Sequence, residues 1–120
     1  MKSYRELIVW QRAMEIVTEV YSITKSFPKE EVYALTSQIR RSAVSVPSNI
    51  AEGYGRQHTL EYIRFLQIAR ASLYELQTQI EIAVNLNYLT ENNIALLLEK
   101  CNETERMLNS LINKINNSSK

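Results

Sequence analysis

The sequence predicts an all-α protein, an antiparallel up-down-up-down four-helix bundle formed by a single domain over residues 1–120. Glycine and proline, which interrupt regular helices, occur only twice each in the 120 residues. All 13 acidic residues are glutamate, which favours helices more than aspartate does. Four segments have apolar residues at helical spacing, and the short breaks between them favour antiparallel packing of neighbouring helices.

The first two helices are predicted over about residues 4–25 and 29–52. Ser3 and Glu6 have the spacing of a capping box, and apolar residues then recur every three or four positions. Pro47 lies inside the second segment, where it removes one backbone hydrogen bond. We therefore expect a kink or a local break of the helix at this proline.

The third and fourth helices are predicted over about residues 59–86 and 91–116. Thr59 and Thr90 are suited to act as their N-caps. Both segments carry apolar residues at alternating spacings of three and four, which places these residues on one face. Cys101 belongs to the apolar stripe of the fourth helix, which predicts a buried thiol in the core.

A second stripe on the second and third helices is polar where a packed face would be apolar. On the third helix, its polar residues lie between Phe65 and Ile68 on one side and Ile82 and Leu86 on the other. An ordinary solvated face would not be bracketed in this way, so we predict a polar network within a packed helix interface. The predicted members are Gln38, Arg41, Ser45, Asn49, Glu52, Ser72, Glu75 and Gln79.

Antiparallel geometry gives this network a register. If the connection between the two helices is centred near Gly55–Arg56, Arg41 lies opposite Ser72 and one turn away from Glu75. A buried arginine without a partner would cost several kcal/mol. We therefore predict that Arg41 or Arg40 pairs with Glu75.

Two stripes on one helix also bear on assembly. A four-helix monomer needs one broad apolar face on each helix, and this sequence offers more than that. The extra surface predicts that subunits pack on one another. The alternative is that these residues widen a single core.

The reactive residues of the chain are too few to favour an enzyme. With no aspartate and a single histidine and cysteine, one chain cannot assemble a hydrolase triad, and no cofactor is expected. A di-iron bundle needs Glu-x-x-His on two helices, whereas His58 and Glu61 occur once and in the opposite order, so no metal site is expected. Gly53-x-Gly55 lacks the remaining residues of a phosphate-binding loop.

Apolar runs and targeting signals bear on location. The sequence contains no run of about 18 apolar residues and no pattern of a signal peptide. We therefore expect no membrane contact and a cytoplasmic location, in which a single unpaired cysteine stays reduced.

Basic residues are candidate contacts for the phosphates of a nucleic acid. The net charge of +1 excludes a polycation that coats nucleic acid along its whole surface. Local phosphate contacts are predicted for Arg40, Arg56, Arg64 and Arg70, which lie near the turn between the second and third helices and along the third helix. The alternative is that these arginines form salt bridges within the fold.

Four runs of residues carry a recognisable pattern: Leu7-x-x-Trp10-Gln11, Phe27-Pro28-x-Glu30, the run from Tyr33 to Arg56 with Val46-Pro47-Ser48-Asn49-Ile50-Ala51-Glu52-Gly53, and Phe65-Leu66-x-Ile68-Ala69. They resemble the four-helix-bundle proteins of the 23S rRNA intervening-sequence family. The resemblance covers nearly the whole chain, from about Leu7 to Leu111.

The resemblance implies a four-helix bundle that assembles into a ring, typically a homopentamer. Some members are encoded in insertions within bacterial 23S rRNA genes. Similar proteins are accessory factors of diversity-generating retroelements and bind a reverse transcriptase and nucleic acid. The partners that this resemblance implies are further copies of the chain, RNA or DNA, a reverse transcriptase, or a ribosomal component.

The predicted function is that of a non-enzymatic, ring-forming helical-bundle adaptor that binds RNA, DNA or a nucleic-acid enzyme. The alternative is a protein–protein assembly module without nucleic-acid affinity. The near-neutral charge favours the alternative, while the family resemblance favours the adaptor.

Overall fold

The structure is a computed structural model that describes residues 3–118. Within this range it contains four α-helices and no β-strand, which confirms the all-α prediction. The helices are α1 (Ile8–Ile23), α2 (Leu35–Tyr54), α3 (Thr59–Asn85) and α4 (Glu91–Ser118). The two ends of the predicted domain, residues 1–2 and 119–120, lie outside the described residues.

The four helices pack around one core, with α2 between α1 and α3, and α4 between α3 and α1. Along neighbouring helices the contacts run in opposite directions. Arg70 of α3 contacts Asn109 of α4, for example, and one turn later Tyr74 contacts Glu105. The helices therefore alternate in direction, and the molecule measures 49 × 25 × 21 Å.

The first helix begins later than the sequence predicts. The residues Tyr4–Glu6 form a 3-10 turn, and Leu7 is extended with a ψ of 122°, so α1 begins only at Ile8. The hydroxyl of Ser3 accepts a hydrogen bond from the Arg5 amide and so caps the short turn, not α1. Beyond α1, Thr24–Ser26 form a second 3-10 turn.

The second helix also begins later, at Leu35 instead of near Lys29. Lys29–Glu31 form a 3-10 turn after Pro28, and the backbone of Ala34 then leaves helical geometry, with φ −123° and ψ −107°. Because of this distorted residue, α2 cannot extend back to the turn.

The local break predicted at Pro47 is wrong, because α2 continues through this residue to Tyr54. Proline removes only one hydrogen bond of the helix. Pro47 is buried and lies with Val44 and Ala51 beside Trp10 and other side chains of α1, so tertiary packing holds the helix together there.

The core consists of aliphatic side chains from all four helices, and the predicted burial of Cys101 among them is confirmed. Burial of each such side chain stabilises the fold by about 1.5–3 kcal/mol. The largest fully buried aliphatic residues are Ile16, Val20, Ile39, Val46, Ile50, Leu66, Leu73, Leu76, Ile80, Leu97 and Leu108.

The pair α2 and α3 forms the most extensive contact of the bundle. At one end of this contact, a Cβ atom added to Gly53 would lie 2.7 Å from Cβ of Phe65 and 3.2 Å from the carbonyl oxygen of Tyr62. Real Cβ atoms do not approach other heavy atoms so closely. Glycine is therefore required for the two helix backbones to meet here.

Candidate functional site

Small polar side chains lie along the contact between α2 and α3, which we call the α2–α3 seam. The hydroxyl of Ser42 donates to Oε1 of Gln79 at 2.7 Å, and both side chains are buried. The hydroxyls of Ser45 and Ser72 lie 2.8 Å apart, and Nδ2 of Asn49 donates to Oγ of Ser45 at 2.9 Å. The seam therefore combines close packing with internally satisfied polar groups.

Of the eight residues predicted to form the polar network, the structure places some in the seam, one at its edge and the others on the exposed surface. Ser45, Asn49, Ser72 and Gln79 belong to the seam. The side chain of Glu75 lies at its edge and accepts a weak hydrogen bond from Gln79 at 3.4 Å.

The other three predicted members of the network, Gln38, Arg41 and Glu52, are exposed, and Glu52 pairs with Arg56. Ser42 also belongs to the seam and was not among the predicted members. Its sequence signal is its position as the one polar residue in an apolar stripe.

The predicted pairing of Arg41 or Arg40 with Glu75 is wrong. Ser45, not Arg41, lies against Ser72, so the two helices are displaced by one turn from the symmetric register. Helical side chains lean toward the N-terminus of their own helix, which moves facing pairs of antiparallel helices in this direction. Arg41 is exposed and requires no buried partner.

The four arginines predicted to contact phosphate do not form one patch. Arg56 pairs with Glu52 at 2.9 Å, and its guanidinium lies 4.7 Å from the ring centre of Phe65. Arg70 faces α4 and donates to Asn109 at 2.6 Å. Arg64 is exposed on α3. Arg40, in contrast, lies on the side of α2 that faces α1.

Arg40 and Arg41 line the same groove, which we call the α1–α2 groove. It has a volume of about 470 Å³ and lies where α1 ends and α2 begins. Nε of Arg40 donates to the Thr24 hydroxyl at 2.9 Å, and its guanidinium lies 4.6 Å from the ring centre of Tyr21. The side chain of Arg40 is therefore held in place. Tyr33 also lines this groove and is 96% exposed.

A second groove, of about 540 Å³, lies between the beginning of α1 and the second half of α4. Its charged lining is balanced, since it contains Glu6 and Glu103 as well as Arg106 and Lys114. The α1–α2 groove, in contrast, is lined by two arginines and no acidic residue. The two grooves therefore differ in the charge of ligand that they favour.

A family model places the chain among known proteins. The model for the 23S rRNA-intervening sequence protein family matches residues 5–110. The chain belongs to this family. The match confirms the resemblance predicted from the residues. A search of curated proteins gives no match.

One solved structure gives a comparison of the fold. It is a protein of unknown function from the S23 ribosomal protein family of Bacteroides thetaiotaomicron. The two chains superpose with a TM-score of 0.80 and 23% sequence identity, over 87% of this chain and 97% of the other. At this identity the likeness shows the shared fold alone.

Exposed apolar residues continue the α3 side of the seam in this family member. Ile68, Ile82 and Leu86 are 41%, 41% and 48% exposed. Ile68 and Ile82 are two heptads apart on α3, and Leu86 follows one turn later, so they lie along one side of the helix. Together with Glu75 and the edge of the seam they form what we call the α2–α3 face.

Residues 3–118 contain no group of three or more histidine, cysteine or acidic side chains that could hold a metal ion. Burial raises the pKa of the Cys101 thiol to about 12. Hydrogen bonds to Glu31 and Glu105 raise the pKa values of Tyr88 and Tyr74, respectively.

The lengths and hydropathies of the described helices bear on membrane insertion. Within residues 3–118, none of the helices combines the length and the apolar character that a membrane span requires.

Proposed function

We propose that this family member is a non-enzymatic adaptor that works as a homo-oligomer, with the α2–α3 face as the contact between copies. The observation that carries the proposal is the row formed by Ile68, Ile82 and Leu86, each about two-fifths to one-half exposed beside a buried seam. A monomer leaves these side chains in water. A second copy of the chain would cover them.

The expected gain from such a contact follows from the exposed area. Full burial of an isoleucine or leucine contributes about 1.5–3 kcal/mol, so burial of the remaining two-fifths contributes roughly 1 kcal/mol per residue. Each copy supplies three such residues from α3, the helix that packs most extensively against α2. In a closed ring, the α2–α3 face of each subunit contacts a different surface of the next subunit, and the family resemblance implies five copies.

Light scattering tests the assembly. The wild-type chain of 13.9 kDa should have the mass of several copies, five if the ring is pentameric. The double variant Ile68→Glu/Ile82→Glu should be monomeric, while Leu96→Glu on α4 is the matched control and should assemble normally. Leu96 is 68% exposed and lies on another helix. A monomeric wild-type chain, or equal loss in the control, would contradict the proposal.

The non-enzymatic part of the proposal is supported by the low reactivity of the Cys101 thiol. A thiol with a pKa of about 12 is almost fully protonated at neutral pH, and only the thiolate is a strong nucleophile. Cys101 is also fully buried. His58, the single histidine, lies exposed in the connection between α2 and α3, far along the chain from this thiol.

Nucleic-acid binding is the second candidate function, favoured by the two adjacent arginines of the α1–α2 groove. Proposed partners are RNA or DNA, either free or bound to a reverse transcriptase or a ribosomal component. A gel-shift experiment with structured RNA and single-stranded DNA tests this candidate at about 50 mM salt, where electrostatic affinity is strong. If neither nucleic acid shifts, the chain is an assembly module alone.

A further inference from the structure

We infer that the α1–α2 groove is a binding site for the phosphate of a nucleotide, with the base on Tyr33. The inference deepens the second candidate function and does not depend on self-association. It rests on the charge of the groove, on an unpartnered polar group within it, and on the position of its aromatic residues.

The first observation is the charge of the lining. Arg40 and Arg41 both line the groove, and no carboxylate within residues 3–118 lies within ion-pair distance of either of them. Nε of Arg40 is occupied by Thr24, which leaves its two terminal amino groups available to an acceptor. Two guanidinium groups without a carboxylate partner are suited to bind a phosphate by charge-assisted hydrogen bonds.

The second observation is a buried hydroxyl without a partner. Thr36 lines the groove and is only 5% exposed, and its Oγ1 atom makes no hydrogen bond. Such groups are rare, because a buried hydroxyl that makes no hydrogen bond destabilises the fold. A phosphate oxygen that reached Thr36 would give this hydroxyl the acceptor that the fold does not supply.

The beginning of α2 adds a favourable field. Thr36 and Ser37 belong to the first turn of this 20-residue helix, and Ala34, its N-cap residue, supplies no side-chain cap. The carboxylate of Glu31 accepts a hydrogen bond from the Leu35 amide at 3.3 Å, so it occupies one position of the turn and its negative charge offsets part of the helix field. The partial positive charge of a helix N-terminus favours anions there.

The third observation selects a nucleotide over inorganic phosphate. Tyr33 is 96% exposed and lines the groove, so its ring is accessible to a ligand there. An aromatic ring beside a phosphate site offers a stacking surface for a base. Tyr21, in contrast, already stacks against Arg40 and supports the phosphate side of the groove.

Isothermal titration calorimetry at about 50 mM salt tests the site with three probes: adenosine monophosphate, inorganic phosphate and a single-stranded deoxythymidine decamer. Arg41→Gln should weaken binding at least tenfold, since it removes a charge-assisted hydrogen bond to the phosphate. Tyr33→Ala should weaken the binding of the nucleotide probes about tenfold and leave inorganic phosphate unchanged. Both residues are exposed, so both variants should fold.

Arg106→Gln is the matched control, because Arg106 is an exposed arginine that lines the charge-balanced groove between α1 and α4. Its affinities should equal those of the wild-type chain. Binding of the monophosphate identifies a free nucleotide as the ligand, whereas binding of the decamer alone identifies a nucleic-acid strand. No binding of any probe, or the same loss in Arg106→Gln, would overturn the inference.

Discussion

Replacement of Gly53 by alanine tests the close approach of α2 and α3. The new Cβ atom would lie 2.7 Å from Cβ of Phe65, 3.1 Å from Cδ1 of Tyr62 and 3.2 Å from the Tyr62 carbonyl oxygen. Gly53 has a negative φ, so alanine meets no backbone strain and the contact alone decides the outcome.

The expected change in the free energy of unfolding has two opposing parts. Alanine within a helix is more favourable than glycine by about 1 kcal/mol. Overpacking costs about 1–3 kcal/mol, and here the upper value applies because Cβ of Phe65 and the Tyr62 oxygen are fixed to the backbone of α3. The variant should therefore lose about 2 kcal/mol, or roughly 6–12 °C of melting temperature at this chain length.

Gly55→Ala provides the matched control two residues away. A Cβ atom at Gly55 would have its nearest neighbour at 3.6 Å, and the φ of −78° suits alanine. This variant should equal the wild type or gain about 0.4–1 kcal/mol from a less flexible unfolded chain. The stabilities of both variants are measured by thermal and urea denaturation, with circular dichroism as the signal and the same protein concentration throughout. If Gly53→Ala is as stable as the wild type, the helices do not meet as closely as described.

Two further predictions concern titratable groups. Because burial raises the pKa of Cys101 to about 12, a thiol reagent at about pH 8 should label it only when the chain unfolds, and rapid labelling of the folded chain would contradict its burial. The hydroxyl of Tyr88 donates to Glu31 at 2.7 Å, which raises the pKa of Tyr88. The stability from this shift is present below about pH 10, the ordinary tyrosine pKa, and is lost as the pH rises through the raised value. Tyr88→Phe should therefore be less stable than the wild type at neutral pH and approach it in alkaline solution, whereas parallel pH curves in urea denaturation would refute this linkage.

Short side chains of the seam could be anticipated from the sequence with the exception of Ser42, which was assigned to the apolar stripe of α2. Residues such as Ser45 and Ser72 reach only their immediate neighbours, so their position in the helical period decides whether they face another helix. Apolar residues on both sides of the polar stretch of α3 indicated that this face is packed. The location of the seam therefore follows from periodicity alone.

Long side chains and helix ends could not be anticipated in the same way. Arg40 reaches across to Thr24 and Tyr21, and this direction depends on the register of α1 and on rotamers that spacing does not encode. The start of α2 depends on the single distorted residue Ala34. The α1–α2 groove combines both features, since it requires the late start of α2 and the orientation of Arg40, and it was therefore absent from the sequence-based expectations.

The two proposed sites can be separated through the assembly-deficient variant Ile68→Glu/Ile82→Glu. The α1–α2 groove is lined entirely by residues of one chain, and both isoleucines lie on α3, which contributes nothing to that lining. A monomeric variant should therefore bind adenosine monophosphate with the wild-type affinity and one ligand per chain, measured by the same calorimetric titration. A ring would raise only the affinity for a decamer that spans several grooves, through multivalency. If the monomer instead loses the monophosphate, a neighbouring copy must supply part of the site, and a groove complete within one chain would be refuted.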